Sequence, residues 1–139
     1  MARLKFAYPL VAGALVLGAA AVAQRPAALA KAAPGLWEIT GLPGAKAPAR
    51  ECVGEVAALA QFEHRHQSCS RSVISDGPLS TVIHYNCPGG GFGRTRMTML
   101  TPRSLRIETQ GISKNLPFNY VLQARRVGDC SKTASAARH

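Results

Sequence analysis

Large apolar residues recur at every second position along most of this chain, and that period predicts strands. Leu36-Trp37-Glu38-Ile39-Thr40, bounded by Gly35 and Gly41, reads as the first strand. The stretch from Gly41 to Ala49 contains two prolines and reads as a loop. Behind Glu55 the period changes: Val56, Leu59, Ala60 and Phe62 recur at helical spacing, predicting one short helix to about Glu63. Val73-Ile74-Ser75 and Thr81-Val82-Ile83 flank Asp76-Gly77-Pro78-Leu79-Ser80, which has hairpin turn chemistry. A second hairpin turns at Thr101-Pro102-Arg103, and a last strand alternates Phe118, Tyr120, Leu122 and Ala124 against Asn119, Gln123 and Arg125. The expected fold is mainly β, of the α+β kind: an antiparallel sheet of about six strands with one short helix.

Register can be argued from the same pattern. Setting Val73 opposite Ile83 places Arg71 opposite Tyr85, a potential cation–π pair, and Cys69 opposite Cys87. Directly opposed residues of an antiparallel pair come close enough for a disulfide. Four cysteines allow three connectivities, and this hairpin selects Cys69–Cys87, leaving Cys52–Cys130 by elimination. In the second hairpin, Met97 faces Ile107 and Met99 faces Leu105 on the inner face. Arg96 then meets Glu108 and Thr98 meets Arg106 on the outer face, an arrangement that opposite charges support weakly.

The apolar fraction, 47%, is inflated by one segment. Arg3 and Lys5 precede eighteen uncharged residues, Phe6 to Ala23, which end in Ala21-Val22-Ala23. That is a signal peptide over residues 1–23 with a cut after Ala23; the competing reading is an uncleaved anchor, which Pro9, Gly13 and Gly18 weaken. Export places the cysteines in an oxidising compartment, where two disulfides are expected. Residues 24–33 read as a disordered leader, 34–130 as a single β-rich domain, and 131–139 as a disordered tail.

Charge is distributed unevenly. Of the seventeen Lys and Arg, nine lie in residues 92–139 against two acidic residues, whereas residues 24–91 hold six against five. In the strand phases above, Arg94, Arg96, Arg106 and Arg125 all point away from the core, with Arg103 at a turn, so a basic face is expected if these strands are neighbours; its two readings are an ordinary solvated surface and an anion-binding one. The face lacks interleaved aromatic residues for base stacking, and an exported protein rarely meets nucleic acid, so nucleic acid is not an expected partner. An envelope protein, anionic lipid or acidic polymer fits the compartment better.

Candidate chemistry is sparse. Trp37 fits a core position better than an exposed stacking platform. No second carboxylate can be placed beside Glu38, so a paired-carboxylate glycosidase is unsupported. His64 and His66, with His84 as a third nitrogen, form the one potential metal set; with Arg71 they also suggest a small nuclease-like or metal-dependent hydrolase. Their polar loop context favours ordinary solvated residues, and neither a metal nor another cofactor is expected. Gly89-Gly90-Gly91-Phe92-Gly93 runs into a strand rather than a helix and lacks Gly-Lys-Ser/Thr, so it reads as a hairpin connection and not a phosphate loop. No Gly-x-Ser-x-Gly elbow is present.

Pro34-Gly35-Leu36-Trp37-Glu38 at the start, single cysteines at 52, 69 and 87, and Gly128-Asp129-Cys130 after Arg125-Arg126 resemble a family of small exported proteobacterial domains, domain of unknown function 3617. The resemblance covers about residues 34–130. It implies a periplasmic or secreted, disulfide-stapled, strand-rich domain, and carries over no catalytic or binding residue. Val53-Gly54 after Cys52 departs from the Thr/Pro helix start of similar chains. The function expected is a non-catalytic binding or structural module of the envelope, with the small hydrolase as the alternative.

Overall fold

The computed structural model describes Gly13 and residues 25–131; apart from Gly13, the expected signal peptide lies outside the described residues, as does the expected tail beyond Ser131. Among the described residues, seven strands form one antiparallel sheet: β1 (Gly35–Thr40), β2 (Ala49–Val53), β3 (Ser70–Asp76), β4 (Ser80–Asn86), β5 (Phe92–Thr101), β6 (Ser104–Ser113) and β7 (Leu116–Gly128). Their spatial order is β2-β1-β7-β6-β5-β4-β3. β2 was not expected, because Ala49-Arg50-Glu51-Cys52-Val53 shows no apolar alternation. It is an edge strand with one neighbour, and its backbone pairing with β1 suffices to define it.

The expected helix is present at Val56–His64, as a 3-10 helix kinked at Gln61. It packs on one face of the sheet, burying Val56, Leu59, Ala60 and Phe62 against Trp37, Ile39, Met97, Ile107 and Leu122. Trp37 is a core residue, and its indole N–H donates to the carbonyl of Ala33 at 3.2 Å. Thr95 ties sheet to helix: its hydroxyl donates to the carbonyl of Ala60 at 2.6 Å and lies 2.8 Å from that of Thr109.

Residues 25–33, expected as part of a disordered leader, are ordered. Ala27–Leu29 form a 3-10 turn whose Ala28 and Leu29 are buried, as is Ala32. The carboxylate of Asp76 accepts the N–H of Ala27 at 2.6 Å and that of Ala28 at 3.2 Å. One leucine among small alanines lacks a periodic signature, yet it can approach closely and fill the end of the core.

The registers follow the sequence argument over most of their length. Val73 pairs with Ile83, Arg71 with Tyr85, Met97 with Ile107, Met99 with Leu105 and Arg96 with Glu108. Between Val73 and Ser75 the β3–β4 register slips by one residue, a bulge. The Arg71 guanidinium does not rest on Tyr85; it donates to Glu55 at 2.9 Å and Gln61 at 2.7 Å. Both disulfides, Cys69–Cys87 and Cys52–Cys130, are present, with Cα atoms 4.1 and 5.5 Å apart. Each secures an outermost strand: the first joins the start of β3 to the end of β4, and the second reaches across β1 to hold β2. Two disulfides in so small a domain point to an oxidising, extracellular-type environment. No helix among the described residues is long and apolar enough to cross a membrane.

Candidate anion-binding face

The helical segments cover one face of the sheet. Strand phase decides what the other face shows: with Met97, Ile107 and Leu122 turned inward, Arg94, Arg96, Arg106, Glu108, Gln110, Asn119 and Arg125 turn outward. The four arginines singled out from the sequence therefore share one surface, but not one condition. Arg106 pairs with Glu108 of its own strand at 2.6 Å, and Arg125 approaches Glu38 at 3.6 Å, where Arg50 also binds at 3.1 Å. Arg94 and Arg96 have no ion pair among the described residues.

His84 is the Cα partner of Arg94, Gln110 lies on the other side of Arg94, and Asn119 pairs with Gln110. Together with Phe92 and Ile112 these residues line an open concavity of about 550 Å3. A smaller one of about 250 Å3 shares Arg94, Gln110 and Asn119 and adds Arg96, Glu108, Val82 and Val121. Phe92, Val121 and Leu100, all in outward phase, remain substantially exposed. The face is thus mixed basic and apolar. Gln110, Asn119 and Phe92 escaped the sequence argument, which followed charge alone; their strand phase, identical to that of Arg94, was the signal available.

The three described histidines do not converge. His64 is buried beneath the covered face, with Nδ1 3.1 Å from the Tyr85 hydroxyl and Nε2 without a partner. His66 sits in the exposed loop after the helix, its Nε2 3.4 Å from Glu51. His84, one residue from inward-facing Tyr85, lies on the uncovered face beside Phe92. No three His, Cys, Asp or Glu side chains among the described residues are grouped to hold a metal ion.

The glycine-rich stretch is explained by packing. Gly89 and Gly90 turn the chain with positive φ, and Gly91 leaves room for the imidazole of His64. Tyr85, Gly93, Gly111 and Phe118 form one row across β4 to β7, and a Cβ on either glycine would collide with the flanking ring or backbone. Burial, aided by the charge of Glu63, pushes the Tyr85 phenol up to about 12. Tyr120 is raised as well, first by burial and then by its hydrogen bond to Glu63. These phenols stay protonated at neutral pH, and that of Tyr120 donates to Glu63.

Fold and site together define a class: a small disulfide-stapled domain built on one antiparallel sheet, packed on one face and open on the other. The chain belongs to the family described as Protein of unknown function (DUF3617), whose model matches residues 32–130. No curated protein and no solved structure matches it.

Proposed function

We propose that this chain is an exported, non-catalytic domain of the bacterial envelope that binds anionic surface components through its uncovered sheet face. One observation carries the reading: among the described residues Arg94 and Arg96 have no ion pair on that face, with exposed Phe92 beside Arg94, whereas Arg50, Arg106 and Arg125 are matched to carboxylates. An exposed guanidinium next to apolar surface suits a headgroup that brings both charge and hydrocarbon. Export rests on the apolar segment ending at Ala23 and on the disulfides, and the mature chain begins at Gln24. The separation of His64 from His84 by the sheet weighs against the small-hydrolase alternative.

The test is binding of mature protein to anionic and zwitterionic vesicles at low and high salt, alongside the Arg94→Ser, Arg96→Ser, Arg106→Ser triple variant. The expected result is weak binding to the anionic vesicles only, reduced by salt and by the triple substitution, because exposed charges are screened over about 8 Å at physiological ionic strength. Binding that is absent, equal for both proteins or indifferent to salt makes the face an ordinary solvated surface.

A further inference from the structure

Four polar side chains converge on the larger concavity of the open face: His84, Arg94, Gln110 and Asn119. None of them has a side-chain hydrogen bond or ion pair among the described residues, whereas seven of the nine other described arginines are matched to a carboxylate or a carbonyl. Beside them lie Phe92, 41% exposed, and half-buried Ile112. A volume of about 550 Å3 falls in the range of small-molecule sites, which pair an apolar floor with a few convergent polar groups.

We infer that this concavity binds a single-chain amphiphile with a singly charged anionic head, a long-chain carboxylate, with the head on Arg94 and the chain over Phe92 and Ile112. The inference rests on the anion-binding reading of the face and names the ligand of one site within it. Stoichiometry of charge sets the head: among the described residues Arg94 is the one Lys or Arg lining the concavity, and in the adjoining one Arg96 stands directly across from Glu108, so the surplus is one positive charge, which a monoanion neutralises and a dianion exceeds. A guanidinium matches a carboxylate with two parallel hydrogen bonds, and the amides of Gln110 and Asn119 supply further donors. Geometry sets the tail. Phe92 pairs with Ile112 directly across β5 and β6, one step along the strands from Arg94 and Gln110, so an extended chain leaving the guanidinium meets them next.

The experiment is titration of the isotopically labelled mature protein with laurate below its micelle concentration, followed by amide shifts, with lauryl alcohol, acetate and inorganic phosphate as separate arms. Saturable one-to-one binding of laurate is expected, with shifts centred on residues 84, 92–94, 110–112 and 119, and with each of the other probes at least tenfold weaker. Arg94→Gln and Phe92→Ser each weaken laurate at least tenfold, while Lys46→Gln, in the exposed loop between β1 and β2, leaves it unchanged; melting curves confirm that each variant is folded. Vesicle binding without laurate binding overturns the site and leaves the broader face standing. Laurate binding equal in wild type and Arg94→Gln, or matched by lauryl alcohol, also overturns the site. Laurate binding that follows Arg94 and Phe92 in a protein indifferent to anionic vesicles supports the site and overturns the broader face.

Discussion

Tyr120 of β7 donates its hydroxyl hydrogen to the carboxylate of Glu63 at 2.5 Å, joining the helix to the middle of the sheet. The bond is charge-assisted, and such bonds contribute more than neutral ones. Tyr120→Phe is expected to lower stability by about 2 kcal/mol, read from urea unfolding. Glu63→Gln keeps an acceptor and is expected to cost less. Equal stability of wild type and Tyr120→Phe would show that the contact contributes nothing.

Alkaline pH provides a second reading of the same region. Tyr85 has its pKa raised from 10 to about 12, so the folded state holds the phenolic proton where the unfolded chain has released it. Stability is therefore fully present below pH 10 and falls as pH rises toward 12, by about 3 kcal/mol for this group. Tyr120 acts in the same direction. Urea midpoints measured across this range should drop above pH 10, and Tyr85→Phe should flatten the fall. A midpoint that rises or stays level contradicts the assignment.

Glycines separate into two kinds. A Cβ at Gly93 meets the Tyr85 ring, whereas a Cβ at Gly54 meets nothing within 4 Å and the backbone there has no positive φ. Gly93→Ala is expected to destabilise by about 1–3 kcal/mol through overpacking. Gly54→Ala is expected to be neutral or slightly stabilising. Thermal melts of the two variants distinguish them, and equal melting temperatures would refute the packing role of the Tyr85–Gly93–Gly111–Phe118 row.

The two disulfides are unequal staples. Cys52–Cys130 spans 78 residues and Cys69–Cys87 spans 18, so chain entropy assigns them about 4.5 and about 3 kcal/mol. Cys52→Ser with Cys130→Ser is therefore expected to cost more than Cys69→Ser with Cys87→Ser. Because each bond holds an outermost strand, hydrogen exchange in partly reduced protein should rise first in β2 or β3 and last in β6. Uniform loss of protection across the sheet would argue against this order.

The legible parts of the sequence were those where burial on one face enforced alternation. β5, β6 and β7 lie at the centre of the sheet, and Met97, Ile107 and Leu122 announced them along with their register. β2 was hidden because an edge strand covered little has no alternation to show. The turn at Ala27–Leu29 was hidden because alanine packs closely without a pattern. At the candidate site, charge identified Arg94 and Arg96, but the state of each arginine was not legible. Glu38 takes Arg50 because β2, the unforeseen strand, brings it alongside, and Arg125 because β7 pairs with β1 on the other side. Likewise, the uncommitted amides of Gln110 and Asn119 became meaningful only once β6 and β7 placed them beside Arg94.

The bulge between Val73 and Ser75 bears on how copies of this chain meet one another. β3 is exposed along its whole length, with Val73 and Ile74 outermost, and an uninterrupted edge of that kind invites sheet-to-sheet growth. The one-residue slip divides β3 into two short halves that are out of step, so a straight strand from a neighbour can follow one half and must lose register with the other. A straight neighbouring strand is therefore a poor match for this edge, which limits sheet-to-sheet growth through it.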